Sequence, residues 1–140
     1  MFEKILVAVD GSTHSQNAAR IVGDIAKTYG VKKIYMVVVF EPIPTYLGEP
    51  NLQVVIDARM TEANQILAGG LAILGQVPCE VITEILEGPS ADAIIEVAAT
   101  RSVDLIVLGS RGRGQLAGLL LGSTSQKVVG HAHCPVLVTR

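Results

Sequence analysis

Two short stretches hold the residue types that could do chemistry. The first is LGSRGRGQLAGLLLGSTSQ, Leu108 to Gln126, which combines repeated glycines with Arg111 and Arg113 and contains no acid. Glycines such as Gly109 and Gly112 let a backbone turn and approach a ligand without interference from a Cβ. Gly122 precedes Ser123, Thr124 and Ser125, which open a predicted helix. A helix start offers free N–H groups and a partial positive charge, and hydroxyls add donors, so this run suits a phosphate group. A plain helix cap accounts for the same hydroxyls equally well, because Ser123 and Gln126 have capping-box spacing. The second stretch is VAVDGS, which ends a predicted strand with Asp10, Gly11 and Ser12. Asp10 is a potential ligand group or a cap for the helix that follows.

These residues need elements to position them. Five apolar runs read as strands: Ile5–Val9, Ile34–Phe40, Val81–Leu86, Leu105–Leu108 and Val136–Val138. Most are continuously apolar, as strands are when helices cover both sheet faces. The mixed segment EVITEIL reads as an edge strand. Helical segments alternate with the strands at residues 13–29, 51–75, 90–100 and 123–131, the first carrying Ala18, Ile21, Val22, Ile25 and Ala26 as one stripe. Thr13 and Gln16 fit a second capping box. The pair Gly69-Gly70 argues against the second helix, and Pro89 suits the start of the third. Alternation of this kind predicts one parallel α/β domain over residues 1–140 with right-handed crossovers. Ligands of such sheets sit beyond the carboxyl ends of the strands, where the order reverses. If the first and fourth strands are neighbours, Asp10 and Gly109 face one crevice. The segment Glu41–Pro50 is a proline-bearing loop, read either as a flap or as a partner-binding loop.

Composition excludes several classes. A net charge of −2 argues against a dedicated nucleic-acid binder. With 4% aromatic residues and no Trp, stacking on single-stranded bases is not expected. No apolar stretch approaches a membrane span, and the start MFEKILVAVD lacks the features of a signal peptide. Cys79 and Cys134 read as reduced thiols of a cytoplasmic protein. Charge is uneven, however. All 13 acids lie at or before Asp104, while the remainder carries Arg111, Arg113, Lys127 and Arg140. That cationic segment coincides with the glycine-rich stretch. The cluster HAHC, with His131, His133 and Cys134, offers three metal donors but no fourth nearby, and it ends a helix, where His is favourable in its own right.

Named phosphate motifs fail. GRGQLA, Gly112–Ala117, matches the dinucleotide fingerprint but follows the fourth strand and has no downstream acid. No Walker A loop is present. A phosphoacceptor receiver domain would need an acid pair after the first strand, an Asp ending the third and a Lys ending the fifth, and the chain lacks all three.

The spacing Gly109-x2-Gly112-x9-Gly122-Ser123 resembles the G-2x-G-9x-G-S/T signature of the ATP-binding branch of the universal stress protein family. KILVAVDGSTHSQNAAR, LEGPSADAIIEVAA, DLIVLGSRGRG and CPVLVTR are similar to that family's blocks, in order along the whole chain. The resemblance implies a three-layer α/β sandwich, adenine nucleotide alpha hydrolase-like, with four helices and a five-stranded parallel sheet ordered 3-2-1-4-5. It implies ATP, ADP or AMP as ligand, with Mg2+ or Mn2+ as a companion held near Asp10. Asp10, with Gly11 and Ser12, would lie at the ribose or phosphates. The Val39 backbone would read adenine, although Val38 stands where the family often has His. Gly109 would meet the ribose or α-phosphate, and Gly112, Gly122, Ser123, Thr124 and Ser125 would wrap the phosphates. Arg111 and Arg113 would reach the outer phosphates, with a solvated loop as the alternative for Arg113.

No convincing general base stands near the outer phosphates, so nucleotide binding is favoured over slow ATP hydrolysis. The intact glycine pattern argues against a third reading, a nucleotide-independent dimeric interaction module. An exposed last strand, Val136, Leu137, Val138 and Thr139, would invite a two-fold partner to pair with it, and the resemblance implies the same homodimer. A protein partner that reads the bound state is expected but not identified by sequence.

Overall fold

A computed structural model describes residues 2–111 and 121–140; Gly112 and Arg113 lie outside the described residues. The element order is β1 (Lys4–Ala8), α1 (Thr13–Thr28), β2 (Lys33–Phe40), a 3-10 turn (Thr45–Leu47), α2 (Asn51–Leu74), β3 (Glu80–Glu87), α3 (Ser90–Thr100), β4 (Leu105–Gly109), α4 (Ser123–His131) and β5 (Val136–Thr139). The five strands form one parallel sheet in the order β3-β2-β1-β4-β5. The chain runs outward from β1 to β3, returns past β1 to β4, and continues outward to β5. The order therefore reverses between β1 and β4, which pair directly from Ile5–Leu105 to Val7–Val107.

Alternation along the strands builds two cores. Ile5, Val7, Ile34, Met36 and Val107 face α1 and α2, meeting Ala18, Val22, Ala63 and Leu67. Leu6, Tyr35, Val37 and Ile106 face the other way, onto α3 through Ala91 and Ile94 and onto α4 through Val128. Each central strand is thus buried on both faces, which explains its continuous apolar run. β3 and β5 are the edges, and Leu137 of β5 remains 37% exposed.

The glycine pair does not break α2, because one member is required by packing. A Cβ on Gly70 would lie 2.8 Å from Met36 Sδ, so the helix sits close on the sheet there. Gly69 faces open space and carries no such requirement. Both expected capping boxes are corrected. The cap of α1 is Ser12, whose Oγ accepts from Ser15 N at 3.2 Å, one residue ahead of Thr13. The N-cap of α4 is Gly122, without a side-chain cap, and Gln126 Nε2 donates instead to the Leu121 carbonyl. Among the described residues no helix is long and apolar enough to cross a membrane.

Candidate functional site

A cleft of about 720 Å³ opens at the carboxyl ends of the strands, over the point where the strand order reverses. Its floor is Ala8, Val9 and Asp10 from β1 and its exit, Val38 to Glu41 from β2 and its exit, and Leu108 and Gly109 from β4. Ser12 and Ser15 of the α1 start, Ser90 of α3, and Gly122 to Ser125 of the α4 start also line it. Three helix N-termini therefore point at one space, each contributing partial positive charge.

Asp10 is held by its own turn. Its Oδ1 accepts from Ser12 N at 2.8 Å, and its N–H donates to Ser15 Oγ at 3.2 Å. Gly11 has φ of +84°, a left-handed conformation, and does not line the cleft. The positive φ gives the turn its own need for a glycine.

Gly109 does line the cleft, but its missing side chain serves a second purpose. A Cβ there would fall 2.7 Å from His14 Cβ and 2.9 Å from Ser15 N. The first turn of α1 packs directly on the end of β4, so helix packing demands this glycine whether or not a ligand is bound. Ser110, which follows it, is buried and makes four contacts. Its N–H donates to the Thr139 carbonyl at 2.6 Å, and its carbonyl accepts from Gly122 N at 2.6 Å and Ser125 Oγ at 2.8 Å. Its hydroxyl meets His14 Nδ1 at 2.8 Å. The described ends of the glycine-rich segment are thereby tied together. The Ser125 hydroxyl donates inward, to Ser110 and Gly122, so what it can offer the cleft is its backbone N–H. Ser123 and Thr124 also line the cleft, at a helix start that no side chain caps. The balance between cap and anion site thus tilts toward an anion site.

Val39 lines the cleft at the end of β2. The Val37 carbonyl accepts from Val9 N, toward β1, and the Phe40 carbonyl accepts from Gly88 N, toward β3. Strand alternation therefore directs the Val39 N–H and C=O toward β1, past the last β1–β2 register pair, Ala8–Val37. Of the Glu41–Pro50 loop only Glu41 lines the cleft, and Ile43 N donates to Glu87 Oε1 at 3.3 Å, fastening the loop to β3.

The HAHC cluster lies elsewhere. His131 Nδ1 donates to the Lys127 carbonyl at 3.0 Å and His133 Nε2 to the Val103 carbonyl at 3.1 Å. Burial first, and then the charge of Asp104, push the Cys134 thiol up, away from the thiolate form a metal would bind. No metal-ligand group of three such side chains occurs among the described residues.

The universal stress protein family model matches residues 1–140. The chain belongs to that family. A universal stress protein of Thermus aquaticus is 42% identical over 140 residues, covering 100% of both chains. The solved structure of the universal stress protein UspA from Lactobacillus plantarum superposes with a TM-score of 0.87, at 29% identity, covering 99% of this chain and 98% of that one. A universal stress protein family protein from Arabidopsis thaliana, solved with AMP bound, shares the fold at a TM-score of 0.70 and 21% identity, over 97% of this chain and 90% of that one.

Several cleft residues of this universal stress protein domain escape sequence reasoning. Arg59, Glu62, Ala63 and Ile66 form one wall from α2, and Ser90 and Ile94 another from α3. Ala63 and Ile66 belong to the apolar stripe that marks α2 as a core helix. Arg59 lies one turn earlier on the same stripe, and it lines the cleft as a charged residue at a position whose spacing reads as core.

Proposed function

We propose that the chain is an adenine-nucleotide-binding regulatory protein with ATP as its ligand. The observation that carries this reading is the α4 start. Its N–H groups lack a side-chain cap, and Ser123, Thr124 and Arg111 line the same cleft. Such a constellation binds phosphate oxygens through backbone donors and a charge-assisted contact. Gly112 and Arg113 are proposed to extend it. Val39 main-chain groups, directed toward the same space, fit the complementary donor and acceptor edge of adenine, and Asp10 fits ribose hydroxyls. AMP in the related Arabidopsis protein supports an adenine nucleotide in this fold.

The donor set does not fit a resident metal. Asp10 is already engaged by Ser12 N, and the other cleft acids, Glu41 and Glu62, come from separate walls. A divalent ion would arrive with the phosphates and supply charge neutralisation there. Binding rather than turnover is the proposed activity, because Asp10, the acid at the proposed ligand path, is held in its own turn by Ser12 N. The edge strand β5, with Leu137 exposed, is proposed to pair with a second copy.

The test is calorimetric titration of ATP, ADP and AMP, with and without Mg2+, into protein stripped of nucleotide. ATP is expected to bind with about micromolar affinity, near −8 kcal/mol. At a hundredfold excess over Kd the ligand adds about 2.7 kcal/mol of stability. Absence of both heat and thermal shift would overturn the reading.

A further inference from the structure

We propose that Arg59 on α2 reads the outer phosphates of the bound nucleotide and sets a preference for tri- over monophosphates; the inference rests on the nucleotide reading above. The depth of α2 in the cleft follows from its contacts. At Gly70 the helix lies against the sheet, near Met36 and Val9. One turn earlier, Ile66 lies 3.5 Å from the position of a Cβ on Gly11, so the helix is then level with the turn after β1. Arg59 lies seven residues before Ile66, on the same stripe, about 10 Å farther along the helix axis. It lines the same cleft as Asp10, Ser12 and Arg111. A base held at Val39 and a ribose at Asp10 leave the projecting phosphates as the part of the ligand within its range.

Charge supports the same assignment. Among the described lining residues the cations are Arg59, from α2, and Arg111, after β4, and the acids are Asp10, Glu41 and Glu62. The Arg59 ion pair with Glu62 spans 4.0 Å, and the Arg59 side chain is 49% exposed. A pair of that length on a wet surface holds its partners weakly. A phosphate offers the guanidinium two oxygens in its own plane and a larger charge, which is the stronger contact. Arg59 thus moves from a loose carboxylate partner to a bidentate phosphate partner when a polyphosphate enters.

The experiment compares ATP and AMP binding to the nucleotide-stripped full chain, for wild type, Arg59→Gln and Arg59→Lys, at low and moderate salt. Arg59→Gln is expected to weaken ATP about tenfold and AMP less than about twofold, with the salt dependence of ATP binding reduced. Arg59→Lys keeps the charge and loses the fork, and is expected to recover part of the ATP affinity. Equal losses for ATP and AMP would place Arg59 on the base or ribose and overturn the proposal, as would unchanged ATP affinity. Wild-type protein that binds neither nucleotide would instead overturn the reading beneath it. That failure is visible before any variant is compared.

Discussion

Gly109→Ala separates the two uses of a glycine that lies both in a phosphate-type signature and under a helix. The added Cβ would sit 2.7 Å from His14 Cβ and 2.9 Å from both His14 C and Ser15 N. Carbon atoms prefer separations of about 3.5–4.0 Å. The first turn of α1 must therefore retreat by close to 1 Å, and its backbone atoms cannot rotate aside. Overpacking of this kind costs about 1–3 kcal/mol. Replacing glycine also removes freedom from the unfolded chain, which offsets about 0.4–1 kcal/mol. The net loss is then about 1–2 kcal/mol. Unfolding entropy for a domain of this length is about 0.3 kcal/mol per kelvin, so the melting temperature should fall by about 3–7 °C. Calorimetric melting of nucleotide-free protein reads this directly. Gly69→Ala is the internal control: it lies mid-helix with nothing within 4 Å of the new Cβ, and should raise the melting temperature slightly. A Gly109→Ala protein that melts like wild type and loses only nucleotide affinity would refute the packing argument.

Three further outcomes are expected. Gly122→Val should abolish ATP binding while the chain stays folded, because its side chain would stand at the uncapped α4 start; calorimetry and circular dichroism together check this, and unchanged affinity would sink the proposed site. Ser12→Ala should cost about 1 kcal/mol through loss of the α1 cap, and should also weaken nucleotide binding because the Asp10 turn loosens, so a melt and a titration on one preparation check both. Leu137→Lys, on the exposed β5 edge, should convert a dimer to monomer in sedimentation velocity; a wild-type monomer at high concentration would dispose of the β5 pairing.

Much of the fold was legible because period and hydrophobicity speak directly about burial. Continuous apolar runs mark β1, β2 and β4, and the mixed EVITEIL run marks β3 as an edge, as the sheet order shows. The placement of Asp10 and Gly109 at one crevice followed once β1 and β4 were neighbours. Caps were less legible. Both helix starts offered two or three hydroxyls in a row, and the spacing rule chose Thr13 and Ser123 where backbone dihedrals use Ser12 and Gly122. The Gly70 warning misled for a different reason, since a propensity is a statement about an isolated helix and Met36 belongs to a distant strand. Arg59 and Ser110 were not legible at all. One stands on a core-type helical stripe and reaches the cleft only through tertiary placement, and the other acts mainly through its main chain, whose hydrogen bonds leave no mark on residue type.

The Ser110 contacts explain how the exit from β4 is fastened to β5, α4 and α1. Buried main-chain groups need partners, and an irregular exit from a sheet usually leaves them short. Here β5 supplies the Thr139 carbonyl, and the α4 start supplies the Gly122 N–H and the Ser125 hydroxyl. α1 supplies His14 to the hydroxyl of Ser110 and Ser15 to the N–H of Asp10. The main chain and hydroxyl of Ser110 and the N–H of Asp10 are thus engaged within the protein. The cleft is also lined by a different set: the uncapped α4 start with Ser123 and Thr124, Val39 at the end of β2, and the arginines Arg59 and Arg111. A site divided in this way meets its ligand with the floor already fixed, so the ordering cost of binding falls mainly on long surface side chains. On that argument Arg59 and Arg111 tune affinity, whereas Gly109 and Ser110 determine whether there is a site to tune.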